Sequence, residues 1–245
     1  MDWTDRGIVL SARKHGENAI ILALLTEAHG RHMGLVRGGT SRKVRGLFEP
    51  GNLLDAHWRA RLEDHLGSYA CELTRAHAAS LMDDPLRLAG LSSLCAVVET
   101  ALPEREAHAS LYRDTLTLIE HLGDEHWLEA YVRFEVALLR EMGFGLDLST
   151  CAATGSTENL IYVSPRSGCA VSAAAGEPYR DKLLPLPRFL VSGSEDMVPL
   201  SQIREGLRMT GYFLDRNIFV HSQAIGHTGT PPARERFMER LRRDS

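Results

Sequence analysis

The sequence predicts a multidomain α+β protein. A small five-stranded β-barrel covers residues 1–80 and an all-helical domain covers 81–245, with a small cysteine-bearing insertion at about 146–194. Three observations carry this. Five short runs with strand character fall within the first eighty residues, the density of a small closed or partly open barrel. At Ala78 the apolar period changes from two to about 3.6. The stretch from Leu146 to Ser194 is rich in Gly, Ser, Ala and Pro and has no helical period, and a structureless loop of that length is rare inside a compact domain.

The elements follow in order. Gly7 to Lys14 reads as a strand, and His15-Gly16-Glu17-Asn18 as a turn. Ala19 to Thr26 is a nearly continuous apolar strand. Ala28-His29-Gly30 turns the chain into a third strand, Arg31 to Val36. After Glu49-Pro50-Gly51-Asn52, Leu54, Ala56 and Trp58 alternate with polar residues, and Tyr69, Cys71 and Leu73 form a fifth run. Asp84-Pro85 is a cap-and-proline start for a first long helix, with Leu88, Leu91, Leu94, Cys95, Val98 and Leu102 on one face. Leu111 to Leu122 and Trp127 to Met142 carry the next two apolar stripes, the latter ending at Gly143. Leu200 to Ile218 carries a fourth, and Pro231-Pro232 opens a short last helix with Phe237 and Leu241. Such stripes form core.

With 44% hydrophobic and 24% charged residues the chain has an ordinary globular composition, which excludes a disordered or fibrous class. The opening residues lack the apolar core of a secretion signal, and no apolar run approaches the ~20 residues of a membrane span. Four cysteines in 245 residues are no disulfide framework. A cytoplasmic protein with reduced thiols and no membrane partner is expected.

Charge is uneven. Residues 1–80 hold 11 Lys/Arg against 9 Asp/Glu, whereas residues 81–245 hold 17 against 23. From Gly30 to Phe48 the chain carries Arg31, Arg37, Arg42, Lys43 and Arg45 and no acid. Glycines in this run allow close backbone approach to a ligand and a mobile loop. Cations in such a loop neutralise phosphates and release counterions. A solvated hairpin loop is the competing reading. Trp58, with Arg59 and Arg61 beside it, offers base stacking, although its phase with Leu54 and Ala56 points to the core.

The insertion reads C-A-A-T at 151–154 and, fourteen residues later, C-A-V-S at 169–172. This is a C-x2-C pair of pairs in which each keeps only its first cysteine. Structural zinc needs four thiolate or imidazole ligands, and neutral Thr154 and Ser172 hydroxyls are poor substitutes. A degenerate frame at Cys151 and Cys169, with no zinc and no other cofactor, is expected. No nucleophile elbow, zinc-protease helix, Walker loop or dinucleotide fingerprint occurs. The acid pairs Glu63-Asp64, Asp83-Asp84 and Glu195-Asp196 sit at turns or helix starts, where they cap or face water. No catalytic residues are assigned; a binding protein, not an enzyme, is expected.

Taken together, W-T-D-R-G-I-V-L-S-A-R-K-H-G-E-N, G-R-H-M-G-L-V-R-G-G-T-S-R-K-V-R-G-L-F-E-P-G, E-M-G-F-G-L-D-L-S-T-C and P-P-A-R-E-R-F resemble the bacterial recombination mediator family RecO over essentially the whole chain. The resemblance implies an OB-fold barrel, a helical domain and a zinc-finger-like insertion. It implies binding of single- and double-stranded DNA, annealing of complementary strands, and a place in DNA repair by the RecF-type pathway. The implied partners are RecR, the acidic tail of single-strand DNA-binding protein and, indirectly, RecA, at the cytoplasmic nucleoid. DNA is expected on Arg31, Arg37, Arg42, Lys43, Arg45, Arg59 and Arg61. An acidic, apolar-ended tail needs an apolar groove rimmed by arginine, for which Arg133, Arg140, Arg204 and Arg208 on amphipathic helices are the candidates. Many relatives have four cysteines in the insertion; this chain departs from them. An RNA-binding OB protein and a protein–protein adaptor are the alternatives.

Overall fold

The structure is a computed structural model that describes residues 1–192, 197–221 and 229–243. Residues 193–194, at the end of the expected insertion, and Glu195-Asp196 lie outside the described residues.

Five strands form the first region: β1 (Asp2–His15), β2 (Ala19–Thr26), β3 (Gly30–Arg37), β4 (Leu53–Arg59) and β5 (Ser68–Arg75). Strand β1 begins at Asp2 rather than Gly7. Its first residues are polar, but each pairs with β4, from Asp2 opposite Arg59 to Arg6 opposite Asp55. A ladder with one wet face tolerates polar side chains, so alternation alone understates its length. The strands close in the order β1-β2-β3-β5-β4. Four neighbour pairs are antiparallel; β3 and β5 meet in parallel, in register only at Leu35 and Ser68. This is the five-stranded OB arrangement. Val9, Leu22, Leu24, Leu54, Ala56 and Trp58 fill the interior, and Phe48 plugs it from the β3–β4 connection.

The chain packs as two compact units, residues 1–123 with 231–240 and residues 124–230 with 241–245. In the first unit the barrel shares its packing with α1 (His77–Ser80), α2 (Pro85–Ala101) and α3 (Ala109–Glu120). Asp84 caps α2, its Oδ1 accepting from Leu86 N at 3.1 Å and Arg87 N at 3.0 Å. Helix α2 buries Leu91, Leu94, Val97 and Val98 on a broad front, wider than a single stripe. Near its end the buried Glu99 carboxylate accepts from Ser11 Oγ at 2.8 Å and pairs with Arg13 of β1.

The second unit holds α4 (Trp127–Glu141), a three-stranded sheet and α6 (Leu200–Asn217). The sheet, in the order β7-β6-β8, consists of β6 (Leu160–Val163), β7 (Ala170–Ser172) and β8 (Leu184–Pro185), with the one-turn helix α5 (Ala173–Gly176) after β7. The insertion therefore has a sheet of its own. Thr210 of α6 donates to the fully buried carboxylate of Glu135 on α4. Helix α7 (Pro232–Arg243) buries Phe237 and Leu241.

Candidate nucleic-acid interface

Short parallel pairing leaves the barrel wall open where β3 leaves β5. Leu35 N still donates to Gly67 O at 3.1 Å, but beyond that bond the strands part. A groove of about 470 Å³ lies along this seam. Its walls are apolar, with Leu35, Val44, Leu47, Phe48 and Tyr69 among them. Arg37, at the end of β3, and Arg59, at the end of β4, line it too, and none of its lining residues is acidic.

The basic connection forms the groove's other flank. Glycine content suggested a mobile loop; the structure instead shows consecutive hydrogen-bonded turns. Ser41 N donates to Gly38 O, Arg45 N to Ser41 O at 3.0 Å and Leu47 N to Val44 O at 2.9 Å, leading into a 3-10 turn at Arg45–Phe48. Gly38 adopts φ +73°, and a Cβ on Gly39 would lie 2.7 Å from the Ile20 side chain. Buried Phe48 anchors the far end, and the Asn52 amide donates to Gly46 O and Leu47 O at 3.0 and 3.2 Å. Arg42, Lys43 and Arg45 project exposed from this frame, and Arg37, Arg59 and Arg61 are exposed too. Six of the seven expected DNA-binding cations thus lie on accessible surface.

Arg31 is the exception and a correction. It sits on β3, opposite Leu25 of β2, with 5% of its surface exposed. Its Nε donates to Leu102 O at 2.8 Å, and its carbonyl accepts from Arg105 N at 2.8 Å. Burial pulls its pKa below the ordinary arginine value, against the opposing pull of Glu104 and Glu99. An arginine tied down in this way fastens the barrel to residues 102–105 and presents nothing to a phosphate.

Trp58 is also interior, its Nε1 donating to Leu66 O at 3.0 Å. Tyr69 lines the groove while its hydroxyl lies 3.2 Å from His32 Nδ1. Burial lowers the His32 pKa to about 4 and raises the Tyr69 hydroxyl, so both are uncharged at neutral pH. Burial also pushes the Cys71 thiol in the groove up to about 12. The groove's fixed charge is therefore that of its arginines. Sequence reading missed Phe48, Tyr69 and Arg105. Arg105 has φ +65°, and its Nη2 donates to His65 O at 2.9 Å while Nη1 reaches Glu63 O, bracing the 60–67 connection that carries Arg61. No local pattern marks such a long-range brace.

In the second unit the four helix arginines divide. Arg133 donates from Nη2 to Phe189 O, with its guanidinium carbon 5.5 Å from the Phe189 ring centroid. Arg204 is half-buried and donates from Nη2 to Leu241 O at 3.1 Å. Arg140 and Arg208, like Arg133, are exposed, but make no such carbonyl bond among the described residues. In the insertion Cys151 is buried and Cys169 half-buried. Among the described residues no three His, Cys, Asp or Glu side chains are grouped to hold a metal ion. Nor is any described helix long and apolar enough to cross a membrane.

The fold and the acid-free groove define an OB-fold protein with a surface complementary to a polyanion. Comparison with known families gives the particular one. Residues 1–76 match the family model of the Recombination protein O N terminal and residues 82–223 that of the Recombination protein O C terminal. The DNA repair protein RecO of Rhodospirillum centenum is 55% identical over 249 residues, covering 99% of this chain and 96% of the relative. Those of Rhodospirillum rubrum and Jannaschia sp. are each 48% identical, covering 99% of this chain and 97% of the relative. The chain belongs to the RecO family, and its role lies in DNA repair and recombination.

Proposed function

We propose that the protein binds DNA along the barrel seam, anneals complementary strands and assists recombinase loading on strands coated by single-strand binding protein. The observation that carries this reading is the acid-free groove flanked by Arg37, Arg59 and the turns that display Arg42, Lys43 and Arg45. Five fixed cations around one opening set phosphates in place without reading sequence. The apolar walls give unstacked bases a surface to rest on. Annealing is opposed by repulsion between two phosphate backbones, and a cationic rim that leaves base edges free lowers that repulsion. Such work needs no covalent chemistry, so the protein acts as a mediator and not as an enzyme. RecR and the acidic tail of single-strand binding protein are the protein partners, RecA the indirect one, and the cytoplasmic nucleoid the place. Arg140 and Arg208, exposed on α4 and α6 and, unlike the equally exposed Arg133, not bonded to a carbonyl among the described residues, are the remaining candidates for the tail.

Arg42→Glu combined with Lys43→Glu and Arg45→Glu tests this. The triple variant is expected to lose at least about a hundredfold in affinity for single-stranded DNA, alike for all sequences. The slope of log affinity against log salt should shrink by about two, since each phosphate contact contributes roughly 0.7 on single strands. Unchanged affinity and slope would remove these turns from the DNA site.

A further inference from the structure

The insertion keeps the spacing of a zinc knuckle pair but not its donors. Cys151 and Cys169 are the only sulfur or imidazole side chains between residues 146 and 194. Two thiolates do not complete a structural zinc tetrahedron. The donor set therefore does not fit the metal, yet the backbone folds as if closed around something. Cys151 O accepts from Gly155 N at 2.8 Å, with Gly155 at φ +70°. Ser164 O accepts from Gly168 N at 2.9 Å, at φ +72°. The two turns are joined where Ala152 N donates to Ala170 O at 2.8 Å and Ala170 N to Asp147 O at 2.7 Å.

Within the insertion the Cys151 sulfur is bonded to Ser172. Cys151 Sγ accepts from Ser172 N at 3.2 Å and lies 3.4 Å from Ser172 Oγ. Thr154 and Ser172 occupy the second position of each C-x2-C pair. Ser172, one of the two residues that stand where zinc ligands would, is the one that now holds the buried Cys151. Cys169 stands apart, with Sγ 3.6 Å from Ser167 O.

We infer that this insertion is a metal-free knuckle, closed by two hydrogen bonds between Ser172 and the sulfur of Cys151, one from the Ser172 N–H and one to its hydroxyl oxygen, in place of a shared zinc ion. A buried thiol that accepts from one N–H and donates to one hydroxyl oxygen needs no cation to balance it, whereas four buried thiolates do. Thr154 and Ser172 together abolish metal affinity, and Ser172 replaces the metal's cross-link with hydrogen bonds.

Three measurements on the full chain test this. Elemental analysis of protein purified without chelator should give less than about a tenth of a zinc per chain. Ser172→Ala, which keeps shape and the backbone bond but removes the hydroxyl, should speed limited proteolysis within 146–190 about fivefold, the factor that one net hydrogen bond of about 1 kcal/mol supplies. Thr154→Cys with Ser172→Cys should take up about one zinc per chain and show the absorption of tetrahedral thiolate cobalt when loaded with Co(II). Stoichiometric zinc in the unmodified protein would overturn the inference, as would a Ser172→Ala variant with unaltered proteolysis. A folded double-cysteine variant that binds no metal would overturn it too, because the four positions would then not share one frame.

Discussion

In the first unit, Arg42, Lys43 and Arg45 stand on a short frame of turns and reach solvent. In the second, Arg133 and Arg204 lie on amphipathic helices, yet their guanidinium groups are bonded to the carbonyls of Phe189 and Leu241. Residue type is the same; the difference is what surrounds it. Arg42, Lys43 and Arg45, on the turns between β3 and β4, make no side-chain bond to a carbonyl among the described residues and stay exposed. A cation at the edge of a helix packed on irregular chain meets carbonyls that no ladder satisfies, and it caps them. Arg31 shows the same contrast within the barrel: on β3, beside the crossing segment 102–105, it is an internal fastener. Net charge by region is therefore a poor guide. Counted over the packing units, the balance is 17 basic against 18 acidic residues in the first and 11 against 14 in the second. The excess of +2 over residues 1–80 is offset by residues 81–123 of the same unit, which hold 3 basic against 7 acidic residues, four of the acids lying outside α2 and α3. Electrostatic character here belongs to a local surface, not to a domain.

The sharpest way to break the contrast is to separate the barrel from its helices. A fragment of residues 1–80 lacks Glu99, which holds Ser11 and Arg13, and Leu102, which holds Arg31. It should fail to fold cooperatively, as a melt followed by circular dichroism would show; a small core has no margin for such losses. A sharp two-state melt of this fragment would mean that the fasteners are dispensable. Next in size, Arg31→Ala should lower the stability of the full protein by about 2–3 kcal/mol, since it strands a buried carbonyl and opens a cavity. The same change should leave the salt slope of DNA binding unaltered, whereas Arg42→Ala should reduce the slope and leave stability within about 0.5 kcal/mol. If Arg31→Ala flattened the slope instead, Arg31 would belong to the DNA surface. The smallest effect divides the helix arginines. Arg133→Ala and Arg204→Ala should each cost about 1 kcal/mol in urea unfolding, and Arg140→Ala and Arg208→Ala close to nothing. Equal losses at all four positions would dissolve the distinction between bonded and free arginines.

Local chemistry made much of this molecule legible in the sequence. Strand period, turn glycines and the Asp84-Pro85 start each act over a few residues, and they place five strands and the long helices within a few residues of where they lie. The exposed cations of the β3–β4 connection were legible for the same reason: an acid-free run rich in glycine has few ways to bury its charge. What only the tertiary structure decided depends on contacts far apart in sequence. Strand closure through the parallel β3–β5 seam makes the groove, and no local pattern announces a single parallel register point. Phe48 enters that groove from the β3–β4 connection and Tyr69 from the start of β5, and Arg31 leaves the candidate surface because residues 102–105 cross it. By spacing alone Cys151 is half of a missing metal site; that Ser172 bonds its sulfur follows from the fold of the insertion. Short-range preferences fix elements. Burial, and the demand that every buried polar group find a partner, fix which side chains remain free to bind.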